Sequence, residues 1–441
     1  MHLAFVWHFH QPIYRDPDTR EYLLPWVNYH AVKNYHQMAR LAEEADFPGT
    51  YNFVPCLLEQ VLEYVGGTAA DPYQAALEKD PGKLTYADVR LLGKIVPGET
   101  NARRLQDLAL KAMFSAPLTP ERDREGLLAL RREILAGLLP SYLRLRARGL
   151  AELTTTPYYH PLLPLVFDLG SADGQALPGR PFRHPEDGQV QLANGRAFFE
   201  RIFGFKPAGL WPSEGGVSRE VAAAAAAAGF RFALTDENVL WKSRPRPHAP
   251  ADLFRPYLAE SLTVFFRDRE LSDLLSFEYQ KWPAEAAVAD FAARLEARRK
   301  AADERSILVI VLDGENPWEF YPENGVPFLR ALYSRVKALP GFSLTSLEAY
   351  LRREPARTAV DLVPGTWLGD FSKWVGHPAK NAAWDRLAAA REACGPSEEM
   401  AVAEGSDWFW WYGEEGKDEF DYLFKAYIRK ACRDAGVEEP S

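Results

Sequence analysis

Seven short apolar runs, each ending in polar or aromatic residues, set the pattern of this chain. His2–Trp7 leads into His8-Phe9-His10-Gln11-Pro12, and Tyr51–Val54 is the second run. Leu153–Thr156 leads into Pro157-Tyr158-Tyr159-His160, and Ala208–Trp211 into Pro212-Ser213-Glu214. Phe230–Leu234 precedes Thr235-Asp236-Glu237, Leu262–Phe266 precedes Arg267-Asp268, and Ile307–Leu312 precedes Asp313-Gly314-Glu315. Runs this continuous predict strands buried on both faces, as in parallel sheets. Helical segments separate them. Ser218 is placed to cap a helix through the alanine run Ala222–Ala228, with Gly229 as its stop. Ala284–Lys300 reads as a charged, alanine-rich helix, and Pro327 opens another over Phe328–Ala338. Alternating strands and helices predict a parallel α/β sheet or barrel.

Two regions break the alternation. The interval from Cys56 to Gly149 is mostly helical in pattern, over residues 57–65, 86–95 and 125–149. It reads as a helical insertion, about 57–150, between the second and third strands. Glu354–Val360 is polar, lacks a clear element and reads as a connection. Beyond it, Ala379–Ala393, Ser397–Ala403 and Lys417–Ala435 are helical in pattern. The expected organisation is a unit over 1–355 followed by a helical unit over 356–441.

Composition narrows the function. With 52 Lys plus Arg against 61 Asp plus Glu, the formal charge is −9, so the chain has no global field to recruit nucleic acid. Three cysteines are too few for a disulfide framework or a cysteine zinc site, and a reducing, cytoplasmic compartment is the simplest reading. The N-terminus has no basic region before an apolar one, and no run of about 18 apolar residues occurs, so neither a signal peptide nor a membrane span is expected. Aromatics reach 13%, with 12 Trp, which calls for either a large core or ligand platforms.

Active sites of parallel α/β folds form at the C-terminal strand ends. The ionisable residues above all fall there, with Trp7, Trp211, Tyr158, Tyr159 and Trp318 beside them. Aromatics among carboxylates suit a polyhydroxyl ligand, because sugar rings stack on indole and their hydroxyls need donors and acceptors. Two carboxyls on different strands can flank a glycosidic bond. Glu214 and Asp313 form the leading pair, with Glu214 and Asp236 as another. His8 and His10 share a strand-end face, and with His160 and Asp313 they also fit a metal-dependent hydrolase. A structural histidine pair is the third reading. The sugar site is the one expected, with no metal and no cofactor.

Five motifs carry a resemblance: His10-Gln11-Pro12, Thr155-Thr156-Pro157-Tyr158-Tyr159-His160, Trp211-Pro212-Ser213-Glu214, Asp313-Gly314-Glu315-Asn316 and Gly405-Ser406-Asp407-Trp408-Phe409-Trp410-Trp411. In that order they resemble the five sequence regions of glycoside hydrolase family 57. The resemblance implies an incomplete (β/α)7 barrel followed by a helical domain, and retaining chemistry on α-glucans. It assigns Glu214 as nucleophile and Asp313 as general acid/base. Within the family, the stretch from Phe266 to Asp273 and the form of the fourth region look most like the amylopullulanase and α-amylase branch. The 4-α-glucanotransferase and branching-enzyme branches stay open. Hydroxyl contacts are expected from His8, His10, Tyr159, His160 and Arg267, and from the acids Asp236, Asp268, Glu315 and Asp407. Trp211, Trp318, Trp408 and Trp410 are the expected stacking platforms. The Ser406–Trp411 segment is expected to fold back over the strand ends as one wall of the cleft.

Overall fold

The computed structural model describes residues 1–88, 91, 120–244 and 247–440. Most of the helix expected over 86–95 lies outside the described residues. Among the described residues, ten strands form one sheet: β1 (His2–Phe9), β2 (Gly49–Phe53), β3 (Ala151–Thr155), β4 (Gly209–Leu210), β5 (Phe232–Asp236), β6 (Tyr257–Ala259), β7 (Leu262–Arg267), β8 (Ile307–Asp313), β9 (Ser343–Leu344) and β10 (Thr358–Ala359). The strand order is β10-β6-β7-β5-β4-β3-β2-β1-β8, with β9 also pairing β1. Every pairing is parallel except β6 with β7. The seven expected runs are the parallel strands from β7 to β8. The three additions are short, and one of them, β10, occupies the segment expected to be a mere connection.

Side-chain alternation shows how the sheet bends. Ala4 and Val6 of β1, Phe232 and Leu234 of β5, Phe265 of β7, and Ile307, Val309 and Val311 of β8 form one buried cluster. β1 and β5 are separated by three strands in the sheet order, yet their side chains share this cluster. The sheet must therefore curl around it. The opposite register (Leu3, Phe5, Trp7 and Phe9 of β1; Leu308, Ile310 and Leu312 of β8) joins the larger core under the helices. β7 and β8 share no ladder among the described residues. Their seam is bridged instead by Asp268 N–H donating to Val309 O at 2.8 Å and Val311 N–H donating to Ser272 Oγ at 3.1 Å.

The helices used below are α1 (Pro55–Val65), α2 (Pro120–Ala147), α3 (Pro185–Phe203), α4 (Arg219–Ala227), α5 (Ala284–Lys300), α6 (Val326–Lys337), α7 (Pro378–Cys394), α8 (Glu398–Ala403), α9 (Ser406–Trp411) and α10 (Asp418–Ala435). α1 and α2 fall in the expected insertion. Ser218 caps α4, its hydroxyl accepting from Val221 N–H, and buried Ala222 and Ala225 let that helix lie close to its neighbours. Ser397 caps α8 in the same way, accepting from Met400 N–H. α5 has the bounds that its sequence pattern predicts, and α6 carries Pro327 in its first turn. α7 to α10 pack on one another and are tied back to the strand ends by a bridge between Pro161 and Gly405. No helix among the described residues is long and apolar enough to cross a membrane.

Candidate active site

The cluster inside the curled sheet has a polar layer at its C-terminal end, and alternation puts it there. Two residues beyond Val6 is His8, beyond Leu234 is Asp236, beyond Phe265 is Arg267, and beyond Val311 is Asp313. His8 and Asp313 are register partners on β1 and β8. Gly314 lets the chain turn there, because a Cβ on it would lie 1.9 Å from the Phe9 ring. Asn52 on β2 holds His8: its amide donates to Thr154 Oγ1 and Thr155 O, so its Oδ1 accepts from His8 Nδ1–H at 2.8 Å.

Glu214 sits in the Ser213–Gly215 turn after β4 with φ 59° and ψ 21°, a left-handed conformation costly for a residue with a side chain. Its backbone oxygen accepts from Trp367 N–H at 3.0 Å. Its carboxylate accepts from Trp367 Nε1–H at 2.9 Å on one oxygen and from Ser406 Oγ–H at 2.9 Å on the other. His160, also left-handed at φ 57°, holds Ser406 Oγ through Nδ1 at 3.0 Å and lies 3.9 Å from Glu214. Because that hydroxyl donates to Glu214, His160 carries its proton on Nδ1. His10 binds both oxygens of Asp407 through Nε2, at 2.9 and 2.8 Å. The rings of His10 and His160 stack at 3.7 Å, and His8 stacks on His160 at 5.3 Å. Buried His10 Nδ1 and His160 Nε2 have no hydrogen-bond partner among the described residues.

The charges follow from this packing. Burial, reinforced by neighbouring His10, takes the His8 imidazole down to about 3, and burial drives His160 well below its ordinary value, so both are neutral. Burial opposes protonation of His10 too, but the Asp407 carboxylate, then Glu214 and Asp313, outweigh it and raise its pKa. Burial and the Asp407 charge push Glu214 up to about 7, against its two donors and His10. Burial raises Asp313 as well, against Asn316, His10 and Arg267. Both carboxyls thus lie within electrostatic reach of one imidazolium. Glu214 has two donors aimed at its oxygens, whereas Asp313 accepts one bond, from Asn316 Nδ2 at 2.8 Å.

Several residues expected at the substrate are placed in supporting positions. Asp236, fully buried, pairs with Arg267 Nε at 2.6 Å and caps the following helix. Arg267 also bonds Asp273 at 3.1 Å and lies over the Trp367 ring at 5.5 Å. Asp268 turns to the helix side, where it caps a helix through Leu271 N–H and pairs with Arg298 at 2.9 Å. Glu315 is buried and accepts from His10 N–H at 3.2 Å, and burial, then the Asp313 charge, raises its carboxyl well above the ordinary value. Trp318 is fully buried and spends its N–H on Gly314 O, and Trp408 is buried with its N–H on Val402 O. These two indoles are core, not platforms. Trp211 is 5% exposed and belongs to the cluster inside the sheet, its ring 6.0 Å from His8. Trp410 is half-buried and stacks on Trp367 at 6.2 Å. Tyr159 lines a separate cavity of about 500 Å³ between α3 and α8, its hydroxyl on Glu398. From α9, Ser406 and Asp407 thus meet Glu214 and His10, and Trp410 stacks on Trp367.

Sequence reasoning missed Trp367, Ser406 and Asn52 as site residues. The metal set considered from sequence, His8 with His10, His160 and Asp313, does not assemble among the described residues. Among the described residues, potential ligand atoms lie within 4.8 Å of one another in two groups, His10 with His160 and Asp407, and His184 with Glu186 and Asp187.

The family model described as Glycosyl hydrolase family 57 matches residues 4–363. The chain belongs to that family. Its fold is shared by two family 57 branching enzymes, from Pyrococcus horikoshii (16% identity, TM-score 0.67, covering 98% of this chain and 88% of that one) and from Thermococcus kodakaraensis (18%, 0.66, 98% and 89%). It is also shared by the α-amylase AmyC of Thermotoga maritima (15%, 0.62, 98% and 92%). No curated protein sequence gives a significant match. Family 57 membership makes this chain a glycosyl-active enzyme.

Proposed function

We propose that this family 57 enzyme is a retaining glycosidase acting on α-glucans, with Glu214 as nucleophile and Asp313 as general acid/base. The supporting observation is the asymmetry between the two carboxyls: Glu214 is pinned in a left-handed turn with a donor on each oxygen, while Asp313 accepts one side-chain hydrogen bond, from Asn316. In the first step a Glu214 oxygen bonds to the anomeric carbon as the glycosidic C–O bond breaks, and Asp313 gives its proton to the departing oxygen. In the second step Asp313 takes a proton from water, the water oxygen displaces Glu214, and the second inversion restores the α anomer. Imidazolium His10, held by Asp407, offsets negative charge between the carboxyls. The unpartnered His10 Nδ1–H and His160 Nε2 offer one donor and one acceptor to the hydroxyls of the cleaved sugar. Trp410 with Trp367 offers indole surface beside them.

We further infer that the curled parallel sheet is an incomplete (β/α)7 barrel, open at the β7–β8 seam. Residues 1–355 would then form the catalytic unit, with the insertion near 57–150, and 356–441 the helical unit that closes the cleft. The α-glucan substrate rests on the named activities of the fold neighbours, a branching enzyme and an α-amylase. If a sugar hydroxyl replaces water in the second step, the same site performs 4-α-glucanotransfer or branching. The test is product analysis on maltooligosaccharides, amylose and pullulan, with Glu214→Gln as control and the product anomer followed by NMR. Shortened α-anomeric products support hydrolysis with retention. Lengthened or branched products move the reading to transfer, and β-anomeric products or an active Glu214→Gln overturn it.

A further inference from the structure

Two of the three cysteines face each other between α7 and α10. Cys394 is the last residue of α7, where Gly395 at φ 74° ends the helix and leaves the thiol partly exposed. Cys432 lies in the last turns of α10 and is 1% exposed. Both are free thiols, and their sulfurs are 2.8 Å apart across the α7–α10 packing. The third, Cys56, is buried on α1 beneath Gln11 and has no thiol near it among the described residues.

The two helices that carry this pair also hold the site wall. Trp384 of α7 stacks on Phe409 of α9 at 3.9 Å, and Phe424 of α10 packs edge-on against Phe409 at 5.7 Å. Lys380 of α7 donates to Trp410 O at 3.0 Å. α9 is thereby clamped between α7 and α10, and it is α9 that presents Ser406 to Glu214 and Asp407 to His10. The cysteines are 38 positions apart in sequence, so a bond between them would close a loop containing all of α8 and α9.

We propose that Cys394 and Cys432 form a reversible oxidation site, a disulfide that locks α7 to α10 around the segment delivering Ser406 and Asp407. Exposure orders the chemistry. A disulfide-exchange oxidant such as glutathione disulfide reaches Cys394, whose thiolate attacks one of its sulfurs, forming a mixed disulfide and expelling one thiolate. Cys432 then attacks the Cys394 sulfur, losing its proton to solvent, and expels the second thiolate. Two thiols of the protein are oxidised and one external disulfide is reduced to two thiols. Burial and the Cys394 sulfur hold the Cys432 thiol up to about 12, so Cys432 does not start the exchange and serves only as the resolving partner. Closing the loop restricts the unfolded chain and the local opening in which α9 leaves the site.

The test uses the full chain treated with glutathione disulfide or with dithiothreitol. The expected oxidised protein has lost two hydrogens by mass, gives a cross-linked peptide pair containing Cys394 and Cys432, and titrates one thiol in denaturant where the reduced protein titrates three. Its rate of thermal unfolding, followed by tryptophan fluorescence, is expected to fall at least threefold and to recover with dithiothreitol. Cys56→Ser should respond like the parent, and Cys394→Ser should show neither cross-link nor slowing. Three titratable thiols after oxidation, a stable glutathione adduct without ring closure, or a cross-link that leaves the unfolding rate unchanged would each overturn the proposal. None of these readouts depends on the carbohydrate chemistry, so the outcome stands apart from that of the glycosidase assay.

Discussion

Replacing Glu214 by glutamine should separate catalysis from stability, and the structure sets the size of the second effect. The Glu214 carboxyl is raised from 4.5 to about 7, first by burial and then by the Asp407 charge. A carboxyl whose folded pKa lies above its unfolded value destabilises the folded state wherever it must ionise. The penalty is absent below pH 4.5, grows as pH rises, and is complete above about 7. A shift of about 2.5 units corresponds to roughly 3 kcal/mol. The amide never ionises, and it still accepts from Trp367 on one atom while offering a donor to the Ser406 oxygen on the other. The stability difference between Glu214→Gln and the parent should therefore grow by about 3 kcal/mol between pH 4.5 and 8. Following the growth of the difference removes any constant offset between acid and amide. Chemical unfolding at a series of pH values measures it, and the same protein should have lost turnover by about four orders of magnitude or more. A difference that is flat with pH, or that shrinks as pH rises, would show that burial does not raise the Glu214 carboxyl and would refute the charge assignment around it.

Three other outcomes are expected. Ser406→Ala removes one of the two donors on Glu214, so the acid limb of kcat/KM should move up by about one pH unit, given that a bond to a charged group is worth about 1.5–3 kcal/mol; an unmoved limb with a uniform loss would mean Ser406 only supports the fold. Asp313→Asn should fail on natural glucans yet recover on aryl glycosides whose leaving group needs no proton, whereas Glu214→Gln should fail on both; recovery of the wrong variant would exchange their roles. Exhaustive chelation should leave full activity, because the two carboxyls need no Lewis acid and a cation on Asp313 would keep it ionised; loss that zinc restores would favour a metal hydrolase.

The parallel strands were legible because burial on both faces leaves a continuous apolar run that little else produces. β6, β9 and β10 were not, since two or three residues carry no period. β10 is tied to the sheet only by its pairing with β6, inside a segment whose composition is that of a loop. The carboxyls and histidines at the strand ends were legible for a stronger reason. His8, Asp236 and Asp313 continue the interior register of their own strands, so an apolar residue two positions earlier announces where each points. Trp367 and Ser406 have no such herald. They reach Glu214 from 153 and 192 positions away, and neither position follows a strand. Only the fold brings them in.

Two of the misplaced residues, Asp268 and Trp408, share one cause, which is adjacency. Asp268 follows Arg267 directly, and neighbouring residues at a strand end point to opposite faces. Once Arg267 faces the interior, Asp268 must face the helices, where it finds Arg298 and a cap. Trp408 follows Asp407 on α9, about 100° further round the helix. If Asp407 meets His10, Trp408 is carried away from the cleft into the core beside Phe420, while Trp410, three residues after Asp407, returns to the same side. A dense motif such as Ser406–Trp411 therefore cannot be wholly functional, because a helix presents only alternate clusters of it to one surface. Buried Trp408 and Phe409 hold the segment in place, while Ser406 and Asp407 meet Glu214 and His10. The same geometry explains how α7 and α10 support the site: Phe409, on the buried side of α9, is where their grip is applied.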